Sequence, residues 1–159
     1  MTTLKAIVTH SVFRPIPKGT AMDSVLAMLF HRSAATLYAL YALWALIALF
    51  MGFPSIEEGL GRTIGNLVFP VLVLSTTIPA GVGATFWPNM ARLELFAGSA
   101  FAMTMLIYVI FAFVAAFNGS GTWQGAEILL TILIIPVART VIVIVLLLRQ
   151  AEDRKIQGV

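Results

Sequence analysis

Cysteine is absent from the 159 residues, histidine occurs only twice, and charged residues make up 11% of the chain, against roughly 25% in soluble globular domains. Without cysteine there are no disulfides, no thiolate metal sites and no iron-sulfur clusters. The two histidines, His10 and His31, both precede the first long apolar run. That leaves no facing axial pair for haem inside a bundle and no HExxH pattern for zinc, so no cofactor is expected. So few charges cannot cover a water-facing surface. What is abundant is apolar: 60% of residues are hydrophobic and the mean hydropathy is +0.98. The composition is that of an integral membrane protein whose solvent is the lipid bilayer. The length suits one domain and leaves no room for a separate soluble catalytic unit, so an enzyme is not expected. The net charge of +3 would suggest nucleic acid in a soluble protein; in a membrane protein the placement of the charges matters more, and no nucleic-acid partner is expected.

Four apolar stretches are visible, at about 34–53, 63–86, 93–117 and 128–148. Each is close to the 20 residues that a helix needs to cross a hydrocarbon core of about 30 Å. None alternates as a barrel strand would, and backbone groups in lipid must be satisfied internally, so helices are the expected form. The connections at about 54–62, 87–92 and 118–127 are short, which makes successive helices antiparallel neighbours. The expected fold is all-α, a four-helix transmembrane bundle over 34–148, preceded by an N-terminal segment 1–33 and followed by a basic tail 149–159.

Eight basic residues lie on one side of these spans: Lys5, Arg14, Lys18, Arg32, Arg92, Arg149, Arg154 and Lys155. Only Arg62 flanks them on the other. Positive residues stay in the cytoplasm, so both termini are expected there, in a multi-pass protein of the inner (plasma) membrane. The first apolar run starts too late and runs too long for a cleavable signal, so the first span should be retained. Before it, Thr20 and Asp23 have capping-box spacing, and Met22, Val25, Leu26, Leu29 and Phe30 fall on one helical face. This pattern predicts an amphipathic helix at the membrane interface. One unbroken helix over 21–51 is the alternative, since no Gly or Pro divides the two parts.

Arg139 is the one basic residue inside a span, 12 residues after Glu127 and 10 before Arg149, hence roughly 15 Å from the cytoplasmic end. A charge at that depth costs about 2.5 to 3.5 kcal/mol on the insertion scale, so it should face the bundle or a partner subunit. Ser75, Thr76 and Thr77 on span two and Thr104 on span three lie at similar depth and are expected to form a polar seam with it. Glu94 is the obvious carboxylate, but counted from the span ends it sits about 12 Å away in depth. The seam reads either as a wet path, a pore lining or anion site, or as a structural device in which Arg139 snorkels and fixes helix register.

Small residues recur. Gly61 and Gly65 form GxxxG, Gly81 and Gly83 follow Pro79, and Gly98 with Ala102 forms a small-xxx-small pair. Such faces allow close helix contact, within one chain or between copies. Pro70, Pro79 and Pro136 are expected kinks. The segment 59–65 is glycine-rich but lacks GxGxxG spacing and follows no strand, which argues against nucleotide binding. Glu57 and Glu58 read as a solvated loop pair, Asn118-Gly119-Ser120 as a chance sequon, Trp87 and Trp123 as interfacial anchors, and Tyr38, Tyr41 and Trp44 as packing residues of span one.

Four short-looped spans over 34–148, the charged tail Arg149 to Lys155 and the lack of cofactor ligands together resemble the holin-like proteins of bacteriophage lysis cassettes. The resemblance implies an oligomer that permeabilises the inner membrane during host lysis. Two other functions suit the same residues: an accessory or phage-exclusion protein that binds another membrane protein, and a small channel or transporter subunit built on Arg139. The expected partners are lipid and either further copies of the chain or another membrane protein.

Overall fold

A computed structural model describes residues 10–14, 16, 18–87 and 89–156; Lys5, counted in the charge balance, lies outside them. Among the described residues the chain is helical, with no strand. The helices are α1 (Met22–Met51), the short α2 (Pro54–Leu60), a π-helical turn (Ile64–Val68) running into α3 (Phe69–Thr85), α4 (Ala91–Phe117) and α5 (Trp123–Ile156). Four helical segments, Met22–Met51, Ile64–Thr85, Ala91–Phe117 and Trp123–Arg149, are long and apolar enough to cross a membrane. Both ends of the described chain therefore lie at one end of the bundle, here the terminal end; the turns after α1 and α4 form the loop end.

The division expected near residue 33 does not exist. α1 is continuous from Met22 to Met51, so there is no separate interfacial helix, and its N-cap is Ala21, without a side-chain capping bond, rather than Thr20. Helix propagation costs little once the downstream span is fixed, and nothing in 22–33 breaks it. The connection after α1 is also more ordered than a loop. Gly52 turns the chain at φ 77°, with the side-chain oxygens of Glu57 and Asn66 packed against its α-carbon where a β-carbon would collide. Pro54 then starts α2, its fixed φ suiting a first helical position. Phe53 just before α2 and Ile56 on it are almost completely buried.

Pro70 shapes the start of α3. It has no N–H to offer the preceding turn, and that turn widens to π geometry, with the Phe69 N–H donating to the Ile64 carbonyl. Between α1, α3 and α4 lies the core, including Tyr38, Val73, Ala80, Phe101 and Met105. At the loop end Phe53 packs edge-on against Trp44, Phe69 and Tyr108, with centroids 4.7, 4.9 and 5.0 Å away, geometry that aromatic quadrupoles favour. α1 packs on α3, α3 on α4 and α4 on α5, whereas α1 and α5 approach much less closely. The bundle thus has one wide seam.

Candidate functional site: a buried ion pair on the open seam

Arg139 and Glu94 are paired. The Arg139 Nε–H donates to Glu94 Oε1 at 2.6 Å and Nη2–H to Oε2 at 2.9 Å, a two-pronged geometry that matches the guanidinium fork to a carboxylate. Arg139 is 6% exposed and Glu94 1%. The separation of about 12 Å in depth counted from the span ends is corrected by the helix register. A β-carbon on Gly98 would lie 3.8 Å from Thr140 Oγ1, so residue 140 sits level with residue 98. Glu94 is one turn from Gly98, roughly 6 Å along the axis, and two extended side chains bridge one turn. α5 simply runs past the end of α4 instead of ending beside it.

A third group comes from α1. The second Nη2–H donates to His31 Nδ1 at 2.9 Å; because arginine only donates, Nδ1 is the acceptor and the imidazole carries its proton on Nε2. His31 is 5% exposed and stacks on Trp87 at 4.5 Å. Phe30 covers the guanidinium, with Cζ 4.6 Å from its ring centroid, a cation–π arrangement. Three of the five guanidinium N–H groups are satisfied. Nη1 is buried and has no hydrogen-bond partner.

The predicted polar seam is different in composition. Ser75 is exposed on the outside of α3 and donates to Leu72 O at 2.8 Å. Thr76 and Thr77 donate to Val73 O, and Thr104 to Ala100 O, each within its own helix. None of these hydroxyls bonds Arg139. Mid-helix Ser and Thr reach the preceding turn without moving a backbone, and Glu94 already occupies the guanidinium. The small residues also resolve differently. Gly61 meets no other helix within the chain: it caps α2 at φ 93° with open space around it. Gly65 lies against Glu57, Gly81 against Tyr38, Gly83 against the Glu94 backbone and Gly98 against Tyr38. Gly98 is buried and Ala102 half-buried, and within the chain Gly98 packs against the Tyr38 hydroxyl.

Pro136 supplies the other polar link across the seam. Its missing N–H leaves the Ile132 carbonyl free, and Tyr41 of α1 donates its hydroxyl to that oxygen at 3.3 Å. Pro79 lies inside α3. Two cavities lie along the seam: one of about 300 Å³ beside Arg139, Phe30 and Tyr38, and one of about 250 Å³ beside Trp44, Met105 and Leu129. At the terminal end, residues 10–14 are held by Val12 N–H to Thr85 O at 2.8 Å and by Arg32, which donates to the carbonyls of Val12 and Arg14.

No known protein family, curated protein or solved structure matches this chain. The site is therefore read from its own chemistry. Among the described residues no group of three metal-ligating side chains converges, and the one buried carboxylate is tied into the fork. The sequence reading missed His31, Phe30 and Trp87. The available signal was that His31, Ala34, Ala35 and Tyr38 continue one helical face of the span, which places His31 toward the bundle once the helix is read through residue 33.

Proposed function

We propose that the protein is a non-catalytic, holin-like oligomer that permeabilises the inner membrane, both termini cytoplasmic, and that it does so by parting α1 from α5. One observation supports this reading. Among the described residues the buried ionisable groups that carry or accept charge, Arg139, Glu94 and His31, all lie where the wide seam meets the terminal end. Closed, the cluster is neutral and sealed by Phe30 and Trp87. Opened, the seam would turn Arg139, His31, Tyr38 and Tyr41 toward a lumen shared by several copies, giving water the polar wall that the apolar outer surface lacks. Interfaces that are bistable in this way turn a small local change into a large one.

The chain has no cysteine of its own, so a seam lock can be read cleanly. With Tyr41→Cys and Ile132→Cys bridged by a short bis-maleimide, dye leakage from expressing cells is expected to fall to background, while either single cysteine leaks after the same treatment. Arg139→Met at matched membrane abundance is expected to lose leakage and Arg139→Lys to retain part of it, because only the charge is kept. Undiminished leakage from the bridged protein would sink the seam mechanism. An absence of leakage from the unmodified chain would favour a protein that acts by binding another membrane protein.

A further inference from the structure

The larger seam cavity has a shape and chemistry of its own. Its walls run from Phe30 to Tyr41 on α1 and from Ile134 to Ile142 on α5, roughly 16 Å along the helices at 1.5 Å per residue. Apart from Arg139, Ser33 and the tyrosines the lining is hydrocarbon, and Ile134, Ile135 and Ile142 at its mouth are exposed on the lipid-facing surface. Ser33 is already bonded to Leu29 O. A groove of about 300 Å³ left empty would cost its walls their dispersion contacts, and its wall offers water few partners. An apolar chain running parallel to the helices fits it.

The head of the groove narrows the occupant further. Arg139 Nη1 is buried without a hydrogen-bond partner, and the Phe30 ring, 4.6 Å from the guanidinium carbon, is itself part of the groove wall and 38% exposed. The arginine charge is already matched by Glu94, so a further anion would bring an uncompensated charge into a low-dielectric site. A neutral oxygen acceptor would satisfy Nη1 without that cost. The depth selects among such acceptors: Glu94, which fixes the guanidinium, is three residues from the start of α4, roughly 5 Å inside the span. That is the boundary between hydrocarbon and headgroups, where the ester carbonyls of glycerolipids lie.

We infer that the α1/α5 groove is a binding site for one acyl chain of a membrane glycerolipid, whose ester carbonyl displaces the Phe30 ring and accepts a hydrogen bond from Arg139 Nη1. The site exists in the closed form and does not depend on permeabilisation. Its test therefore involves no leakage readout.

The protein is reconstituted in phosphatidylcholine and phosphatidylglycerol vesicles doped with a diester phosphatidylcholine carrying a diazirine on one acyl chain. After irradiation, labelling at Leu37, Ile134 and Ile135 is expected to exceed that at the exposed Phe96 of α4 by about tenfold, a preference worth about 1.4 kcal/mol. Ala138→Trp, which fills the groove from an exposed position on its wall, should lower groove labelling to the Phe96 level. Val137→Trp, exposed next to it but outside the groove, should leave labelling unchanged. A diether analogue, identical but without the carbonyl, should compete about tenfold less well than the diester, as expected for loss of a hydrogen bond to a charged donor. Even labelling around the helices, equal competition by ether and ester, or stronger displacement by a prenylquinone than by the diester would each overturn the assignment.

Discussion

At the scale of single residues, the energetics of Arg139 are those of an ion pair that was moved out of water and repaid by geometry. The fork to Glu94 and the bond to His31 account for three N–H groups, and two aromatic rings shield the rest. Pairs of this kind are costly to break from one side and cheap to remove as a whole. Glu94→Gln is accordingly expected to destabilise the fold by about 3 to 5 kcal/mol, because it leaves the guanidinium charge buried without a counter-charge. The double variant Glu94→Leu with Arg139→Leu is expected to be neutral or stabilising. Unfolding by increasing mole fraction of SDS in mixed micelles measures both. A double variant as unstable as the single one would mean that the pair holds the helices together by more than its own charges. In the permeabilising reading, that same double variant folds normally and does not leak.

Elements explain why the pair can form. α3 and α4 come so close at Gly83 that a β-carbon there would lie 2.5 Å from the Glu94 amide nitrogen. This contact sets the position of the α4 turn that carries the carboxylate. Gly83→Ala should therefore cost about 1 to 3 kcal/mol, the range for overpacking a tight contact. Gly81→Ala, whose β-carbon would meet only Tyr38 Cβ at 3.3 Å, should cost clearly less in the same SDS titration; equal losses would show that the α3/α4 approach is not limiting. The prolines act at this scale too. Each was visible in the sequence as a missing donor, but what filled the gap was not. Upstream of Pro70 the answer is a local π turn, whereas the Ile132 carbonyl freed by Pro136 is met by the hydroxyl of Tyr41, 91 residues from Ile132 in sequence.

For the whole molecule, the even number of spans puts both ends of the described chain at the same end of the bundle, next to Arg32, Trp87 and the ion pair. On the proposed orientation, which rests on the bias of flanking basic residues, that end is the cytoplasmic one. A reporter fused after Val159 should behave as cytoplasmic and one inserted near Glu58, which is exposed on α2, as external. The reverse pattern would invert the chain in the membrane and place the Arg139 site at the outer leaflet. The asymmetry of the bundle, three close helix interfaces and one wide seam, is the feature on which both the proposed permeabilising mechanism and the proposed lipid site rest.

The sequence alone determined the solvent of this protein and its number of spans, because length and hydropathy are local properties that survive without any tertiary contact. It also turned Arg139 away from lipid, toward the bundle or a partner subunit, since a lone charge facing lipid is too costly. It could not identify the partners. Glu94 looked too far away because depth was counted from assumed span ends, while the register is set where Gly83 and Gly98 let neighbouring helices touch. His31 looked like part of a surface segment because amphipathic periodicity reads the same on an interfacial helix and on the first turns of a longer one. Ser75, Thr76, Thr77 and Thr104 looked available to Arg139, yet hydroxyls in helices have carbonyls of their own within reach. Which side chains meet across a seam depends on helix register and separation, and those were decided only when four helices packed together.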